Sequence, residues 1–212
     1  TLSPDGREIV LKVQYPGVAG SIDADVDNIA SLLKISGLLP SEFDIAPLLD
    51  DAKAQLQDEA DYNKEAEFLA AFGDLLAGDE RFLVPEVLPE LTCKTVLAMT
   101  YVSGQPIESI GALPQVERDA VMTALIELMF RELFELRMVQ TDPNFANYQY
   151  DRSSGKIVLL DFGATRRFKA SFVNGYRSLA KAAIAGNRKR LIAAAERVGY
   201  AMGDEDSEYR EL

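Results

Sequence analysis

Hydrophobic and polar residues alternate near the start of the chain, and this alternation predicts a β-strand. Over residues 7–14, Ile9, Leu11 and Val13 fall on one face of the strand, whereas Lys12 falls on the other. A lysine on a strand that is otherwise rich in Val, Ile and Leu needs a partner of opposite charge if it is covered. Lys12 is therefore the first candidate for a functional residue.

A turn signal, Asp5-Gly6, directly precedes this strand, and such a dipeptide commonly joins the two strands of a hairpin. Only two residues come before Ser3-Pro4, which leaves no room for a partner strand. We therefore expect the chain to be a fragment that lacks its N-terminal elements. Separately, we expect the predicted fold to be truncated at its C-terminus.

Apolar residues at helical spacing predict five helices. Ser21 and Asp44 are the expected N-caps of the first two, and Gly37 is expected to end the first. In the third helix, the Met and Phe side chains are expected to lie in the core. The predicted helices cover residues 21–35, 44–76, 114–138, 171–185 and 188–198.

Short strand-like runs lie between these helices, so the fold class is α+β. A turn at residues 151–155 predicts a hairpin, and the segment Ser-Gly-Gln-Pro at 103–106 predicts a hinge. The hinge would divide an N-terminal lobe, 1–102, from a helical C-terminal lobe, 107–212. The later strands are predicted at residues 82–87, 94–102, 148–150 and 156–160.

Composition excludes several kinds of chemistry. The 212 residues contain no His and one Cys, so imidazole bases, His-containing zinc sites and intrachain disulfides are ruled out. Cys93 lies in a strand-like run, and we expect a buried structural thiol there. Any metal must be a hard ion held by oxygen, such as Mg²⁺, and proton transfer must rest mainly on Asp, Glu, Lys or Tyr.

Charge is distributed unevenly along the chain. The net charge is −12, which argues against a general nucleic-acid binder. Residues 152–200 nevertheless hold 11 Lys or Arg and two acidic residues, a balance of +9. These cations either balance the acidic remainder or meet anionic lipid headgroups at a membrane surface. No apolar run approaches the length of a membrane span.

The segment Gln140–Gly163, with the sequence QTDPNFANYQYDRSSGKIVLLDFG, carries the clearest chemical signal. Asp142 follows a long helix, Asn147 comes five residues later, and Asp161 ends the next apolar strand and begins an Asp-Phe-Gly triplet. The catalytic loop of protein kinases has this order and spacing. One carboxylate orients the attacking hydroxyl, and an amide oxygen with a second carboxylate holds Mg²⁺ against the phosphates.

Acidic residues that could pair with Lys12 lie in residues 58–65, DEADYNKE. In a kinase lobe, a strand Lys contacts the ATP phosphates and is held by a Glu on the following helix. We predict that Glu65 holds Lys12 and that Glu59 serves another partner. The alternative is that Lys12 lies on an exposed sheet face and that the acids form a solvated stripe.

The sequence resembles the UbiB (AarF-domain) family of atypical kinases, which act in coenzyme Q biosynthesis. The likeness extends over almost all of residues 5–200, and the Gln-Thr before Asp142 is similar to the mitochondrial and proteobacterial branch. Five stretches carry it: KVQYPGV at 12–18, EADYNKEA at 59–66, VPEV at 84–87, QTDPNFAN at 140–147 and LDFGATR at 160–166.

The resemblance implies a two-lobed protein-kinase-like fold that binds ATP and Mg²⁺ between its lobes. Lys12 and Glu65 would form the phosphate-positioning ion pair. Asp142 would be the catalytic-loop acid, and Asn147 and Asp161 would be the Mg²⁺ ligands.

The resemblance also assigns the remaining site residues. Glu59 and Asp61 would match the family's E-x-D motif, which engages an N-terminal extension bearing K-x-G-Q over the site of a protein substrate. Thr100 stands where the family often has an acidic residue at the nucleotide hinge. The hinge residues expected beside the nucleotide are Met99, Thr100, Tyr101 and Val102.

The acceptor is expected to be small. A kinase that docks peptides needs a long segment after Asp-Phe-Gly, closed by an Ala-Pro-Glu-type anchor. Here a helix is predicted to begin at Ser171, a few residues after Gly163, and no such anchor follows. Water or a small molecule therefore fits better as the acceptor than a protein.

We interpret the chain as an atypical kinase or ATPase that supports ubiquinone (coenzyme Q) biosynthesis. We expect it inside the cell, peripherally associated with the mitochondrial inner membrane or the bacterial cytoplasmic membrane, with anionic lipid and coenzyme Q biosynthesis proteins as partners. Two alternatives stay open. One is a catalytically silent nucleotide-binding scaffold of a lipid-synthesis complex, and the other is a small-molecule kinase of the antibiotic-phosphorylating type.

Overall fold

The structure is a computed structural model that describes residues 1–3, 5–36, 45–142 and 144–200. The helices are α1 (Val18–Ser36), α2 (Ala46–Glu59), α3 (Tyr62–Leu76), α4 (Gln115–Arg131), α5 (Ala170–Ile184) and α6 (Arg188–Arg197). The strands are β1 (Ile9–Val13), β2 (Phe82–Leu83), β3 (Val96–Thr100), β4 (Gln105–Pro106), β5 (Met138–Gln140), β6 (Tyr148–Asp151), β7 (Lys156–Leu159) and β8 (Thr165–Arg167).

The chain divides into two compact units. One contains Thr1–Ala124 together with Gln140–Thr165, and the other contains Leu125–Val139 together with the chain from Arg166 onward. The division into lobes at residues 103–106 stays a prediction.

The predicted first strand is present as β1, which pairs antiparallel with β3. Ile9 is buried in a small cluster with Leu88 and Ala98. Because successive side chains of a strand point to opposite faces, Lys12 lies on the face away from Ile9. Leu97 lies opposite Lys12 in the register.

Helix α1 begins earlier than predicted. Its first residue is Val18, and the Ser21 hydroxyl donates to the Val18 carbonyl 3.1 Å away inside the helix. The assignment of Ser21 as an N-cap is therefore wrong, because a serine inside a helix bonds back to its own backbone. The predicted helix stop at Gly37 and the predicted cap at Asp44 lie outside the described residues.

The predicted continuous helix over 44–76 is also wrong, because two helices meet at residues 60–61. Asp61 has extended backbone angles, and its side chain accepts a hydrogen bond of 3.1 Å from the Asn63 N–H. An aspartate in this conformation is a strong N-cap, so it starts a new helix and does not continue the old one. Glu65 consequently lies in the first turn of α3.

A four-stranded sheet with the order β2-β7-β6-β4 positions the segment after β7. Strands β6 and β7 form the predicted antiparallel hairpin. At the end of β7, the Leu160 N–H donates to the Asn147 carbonyl at 3.0 Å. The next residue, Asp161, therefore lies beside Asn147. Strand β5 pairs separately with β8.

The third predicted helix is present as α4, followed by one π-helical turn over Glu132–Leu136. Val121 and Leu128 are buried as expected, but Met129 and Phe130 are about half exposed. The prediction that the Met and Phe side chains of this helix lie in the core was therefore wrong for these two residues, but it holds for Met138 at the predicted end, which is 1% exposed. Hydrophobic spacing gives the direction of a helix face, but it does not reveal how much of that face a neighbour covers.

The predicted helices near the end of the chain are present as α5 and α6, which pack against each other. Gly175 permits a close approach, because a Cβ atom there would lie 2.5 Å from Cγ1 of Val198. A larger residue at position 175 would push the two segments apart.

Cys93 is exposed, not buried as predicted. It forms an isolated bridge with Val96 in the tight connection before β3, so it lies outside the strand itself.

A pair of aromatic rings forms part of the core next to the Asp-Phe-Gly triplet. Phe72 on α3 and Phe162 are 0% and 1% exposed, and their ring centroids are 4.8 Å apart. This contact anchors α3 to the segment that carries Asp161.

Replacing Phe72 with Ala should lower the free energy of unfolding by about 3–5 kcal/mol, because the deletion of a buried ring leaves a cavity. Urea unfolding followed by circular dichroism measures this loss. Tyr15 is 83% exposed, and Tyr15→Ala should change the free energy of unfolding by less than about 0.5 kcal/mol. Equal losses in the two variants would contradict the assignment of this core.

Candidate active site

One ammonium group lies between two carboxylates at the centre of the site. Lys12 Nζ is 2.9 Å from both Oε1 and Oε2 of Glu65 and 3.1 Å from Oδ2 of Asp161. It also lies 5.3 Å from the centre of the Tyr62 ring. The structure thus brings together the two residues that the sequence paired, and it adds Asp161 as a second partner of the ammonium.

The ion pair is unequally buried. The side chain of Glu65 is 2% exposed, whereas that of Lys12 is 33% exposed. Burial raises the pKa of Glu65, and the charge of Lys12 opposes this effect only in part. Desolvation by itself would lower the pKa of Lys12, but Glu65 and Asp161 together raise it. The lysine therefore stays charged, and its open side can meet an anionic ligand.

The carboxylate of Asp161 is oriented from two sides. Oδ2 contacts Lys12, and Oδ1 accepts a hydrogen bond of 3.0 Å from the Gly163 N–H. A Cβ atom on Gly163 would lie 3.4 Å from Oδ1 of Asp161 and 3.5 Å from Oε2 of Glu65. The glycine therefore lets the backbone approach both acids closely.

Asp142 and Asn147 are joined across the loop that follows β5. Asn147 Nδ2 donates to Oδ2 and to the backbone carbonyl of Asp142, at 3.3 Å in both cases. A 3₁₀ turn over Phe145–Asn147 is capped by the side chain of Asn144 and shapes this loop. The five-residue spacing thereby places the amide against the carboxylate.

A polar cleft of about 440 Å³ collects most of these groups. Lys12, Glu65, Asp142 and Asp161 all line it, and Asn147 reaches it through its contact with Asp142. The complete lining consists of Lys12, Gln55, Glu59, Tyr62, Glu65, Thr141, Asp142, Asp161, Gly163 and Ala164.

The two acids of the predicted E-x-D motif occupy different positions. Glu59 lines the cleft, and its Oε1 accepts a hydrogen bond of 3.0 Å from Gln55 Nε2. Asp61 caps α3 instead, and it is not among the residues that line the cleft. Its observed contact supports the helix that carries Glu65.

The four predicted hinge residues come together at a second cavity of about 250 Å³. Met99, Thr100, Tyr101 and Val102 line it with Val10, Pro85, Gly104, Gln149 and Leu160. The N–H groups of Thr100 and Tyr101 already donate to the carbonyls of Glu86 and Glu8. Within the described ranges, no hydrogen bond involves the backbone of Val102, so its N–H and carbonyl are available to a ligand.

The donor set fits a magnesium ion that is bound together with phosphates. Asn147 and Asp161 offer oxygen atoms, which Mg²⁺ prefers. In the part of the chain that the structure describes, no group of three or more acidic or Cys residues is arranged to hold a metal alone. Two protein ligands suit Mg²⁺, because this ion usually keeps waters and substrate phosphates in its shell.

Several site residues were not singled out from the sequence. Gln140 and Tyr148 hydrogen-bond to each other beside Asp161, and Tyr62 lies against Lys12. Gln140 and Tyr62 fall inside the motifs QTDPN and E-x-D-Y, so position within a motif was their signal. For Phe72, which packs against Phe162, the sequence carried no signal beyond its place on an apolar helix face.

A strand lysine held by a helix glutamate, facing a loop aspartate and an Asp-Phe-Gly triplet, defines a site of the protein-kinase class. The chain belongs to the ABC1 atypical kinase-like domain family, whose model matches residues 1–195. The resemblance to the AarF-domain kinases is therefore confirmed.

Curated relatives carry the same class of name. The chain is 42% identical over 201 residues to "Atypical kinase COQ8B, mitochondrial" of Rattus norvegicus, covering 95% of this chain and 38% of that protein. It is 38% identical over 207 residues to "Atypical kinase coq-8, mitochondrial" of Caenorhabditis elegans, and this match covers 96% of this chain and 27% of that protein. It is 36% identical over 208 residues to "Atypical kinase COQ8, mitochondrial" of Saccharomyces cerevisiae, and this match covers 98% of this chain and 42% of that protein. The chain thus spans well under half the length of these relatives.

A solved structure supports the fold. The chain resembles Rv3197 of Mycobacterium tuberculosis, solved in complex with erythromycin, with a TM-score of 0.74 and 26% sequence identity. The match covers 92% of this chain and 50% of that one. The mixed helix and strand fold is therefore kinase-like, as predicted.

Replacing Lys12 with Met should lower the free energy of unfolding by about 1–3 kcal/mol, because it leaves the buried carboxylate of Glu65 without its cation. Adding Glu65→Gln should recover at least half of that loss, since a neutral amide needs no counter-ion. Chemical denaturation of both variants and of wild type measures the effect.

A surface ion pair provides the matched control. Lys64 contacts Asp58, and both side chains are at least half exposed. Lys64→Met should leave the stability almost unchanged, because solvent screens such pairs. A loss as large as that of Lys12→Met would contradict a special role for the buried pair.

Proposed function

We propose that the polar cleft binds Mg·ATP and that the protein is an atypical kinase or ATPase that supports coenzyme Q biosynthesis. The observation that carries this proposal is the position of the Lys12 ammonium between Glu65 and Asp161 in the cleft that Asp142 also lines. Membership in a kinase-like family supports nucleotide binding as a class.

The arrangement of the two cavities suits a nucleotide. Val10 lines the smaller cavity and Lys12 the polar cleft, and these residues lie on one face of β1 because they are two positions apart. An adenine ring would occupy the smaller cavity, with the backbone of Val102 as its hydrogen-bond partner. The phosphates would extend toward Lys12.

Each side chain has one task in this proposal. Lys12 binds phosphate oxygens, and Glu65 keeps the ammonium in place. Asp142 orients the attacking hydroxyl or water and accepts its proton. Asn147 and Asp161 would hold Mg²⁺, which supplies neutralisation of the charge on the phosphates.

A small acceptor or water fits the chain after the Asp-Phe-Gly triplet. Residues 165–167 form β8, and α5 already begins at Ala170. These few residues leave little length for the platform on which protein kinases dock a peptide. We therefore favour ATP hydrolysis or transfer to a small molecule.

The role in coenzyme Q biosynthesis is proposed from the relatives named COQ8, which cover 95–98% of this chain. Those relatives are named as mitochondrial proteins. In the described residues, we find no helix with the length and apolar character needed to traverse a bilayer.

A groove between α5 and α6 supports a peripheral contact with anionic membrane lipid. The groove has a volume of about 370 Å³, and Lys181, Arg190 and Arg197 line it beside several alanines. Over the described residues, none of these three cations is found in an ion pair, and this leaves them open to phosphate headgroups.

Replacing Asp142 with Asn should lower ATP turnover by at least about 100-fold, because the amide cannot accept the proton. The affinity for ATP should change little, since Lys12 and the smaller cavity are untouched. Steady-state ATPase assays and calorimetric titration with ATP measure the two quantities in the full-length protein.

The matched control for this variant is Asp25→Asn on the exposed side of α1, which should leave turnover unchanged. Complementation of a strain that lacks the gene separates the enzyme from the silent scaffold. A fully functional Asp142→Asn protein in that strain would favour the scaffold.

Replacing Lys181, Arg190 and Arg197 together with Gln should weaken binding to phosphatidylglycerol vesicles by about tenfold or more, because each cation contributes about 1 kcal/mol near an anionic surface. Vesicle co-sedimentation measures this change. The same substitution at the exposed residues Lys34, Lys64 and Lys94 removes equal charge. An equal loss in that control would contradict a localised lipid contact.

A further inference from the structure

We propose that Gln140 and Tyr148 form a hydrogen-bonded relay that positions Asp161 for Mg²⁺. Gln140 is then a positioning residue of the site, acting through Asp161 without touching the nucleotide. This inference rests on the proposed function, because it concerns the geometry of the same cation.

The relay connects the segments that carry the oxygen ligands. Gln140 is the last residue of β5, two positions before Asp142, and Tyr148 is the first residue of β6, directly after Asn147. Gln140 Nε2 donates to the backbone carbonyl of Asp161. The hydroxyl of Tyr148 donates to Gln140 Oε1 at 2.8 Å.

The chemistry of the three groups fixes the direction of these bonds. A backbone carbonyl only accepts hydrogen bonds, so the amide nitrogen of Gln140 must face Asp161. The amide oxygen then faces Tyr148, whose hydroxyl must donate. Without that hydroxyl, the amide of Gln140 loses one of the contacts that favour this orientation.

The relay matters because the two cation ligands come from different segments. Asn147 and Asp161 are tied by the hydrogen bond from the Leu160 N–H to the Asn147 carbonyl and also by the relay through Gln140. Mg²⁺ demands near-ideal octahedral geometry with short bonds, so a small displacement of Asp161 weakens the binding of the ion. Contacts with the nucleotide itself would change less.

The test is a magnesium titration of nucleotide binding in the full-length protein, with trinitrophenyl-ATP as the fluorescent probe. Gln140→Glu replaces the amide donor with a carboxylate oxygen that faces a carbonyl. We expect the Mg²⁺ concentration for half-maximal binding to rise by about tenfold, the effect of one lost hydrogen bond in a partly buried site. Probe affinity without Mg²⁺ should change by less than about twofold.

Three further variants separate positioning from a general structural role. Tyr148→Phe should raise the same Mg²⁺ midpoint by about threefold, because it removes one contact that orients the Gln140 amide and keeps the amide donor. Gln140→His keeps an N–H donor and should restore a midpoint close to that of wild type. Tyr150→Phe is the matched control on β6, since in the described structure no hydrogen bond is found for the Tyr150 hydroxyl, and it should not shift the midpoint.

Unchanged Mg²⁺ midpoints in Gln140→Glu and Tyr148→Phe, with a normal response in wild type, would overturn the relay but leave the proposed function standing. A wild-type protein whose probe binding ignores Mg²⁺ would overturn both. If Gln140→Glu fails to fold, as judged by thermal unfolding, Tyr148→Phe alone decides the outcome.

Discussion

Lys12 lies within 3.1 Å of Glu65 and Asp161, so one positive charge is shared between two negative ones. These partners are 53 and 149 residues away in the sequence, and their contact draws β1, α3 and the segment after β7 to one place. Burial disfavours the charged form of Glu65, and the nearby charge of Asp161 adds to that penalty. The ammonium of Lys12 is therefore needed to keep Glu65 charged in its buried position. The excess negative charge that remains beside the ammonium suits a divalent cation.

Local structure positions the two carboxylates that contact Lys12. Asp61 starts α3 at the position that puts Glu65 in the first turn, and Phe72 fixes the same helix against Phe162. Gly163 closes the turn after Asp161 with an N–H donated to its carboxylate. These contacts hold Glu65 and Asp161 in defined positions, and electrostatic stabilisation of phosphoryl transfer requires charged groups that are positioned in advance.

Much of the candidate site could be predicted from sequence because spacing alone carries it. Asp142 and Asn147 are five residues apart on a short loop, and Asp161 ends a hairpin strand, so local geometry brings them near each other. Lys12 and Glu65 required a further argument, the cost of an unpaired charge on a covered strand.

The failures have two physical causes, since some depended on local capping and turn geometry and others on tertiary contacts. The helix break at Asp61 results from a capping hydrogen bond that competes with continuation of the helix. Helix propensity alone does not predict which of the two forms. Met129 and Phe130 follow a helical stripe but lack cover, and Cys93 falls in a turn beside a strand. The hydrogen bond from Gln140 to Asp161 joins residues 21 positions apart, so no local sequence pattern predicts it.

The most direct test is a crystal structure of the full-length protein with Mg²⁺ and a non-hydrolysable ATP analogue. The account predicts a cation about 2.1 Å from oxygen atoms of both Asn147 and Asp161, with Lys12 Nζ in contact with a phosphate. A nucleotide bound in the cleft with its cation touching neither residue, or with Lys12 turned away from the phosphates, would contradict it.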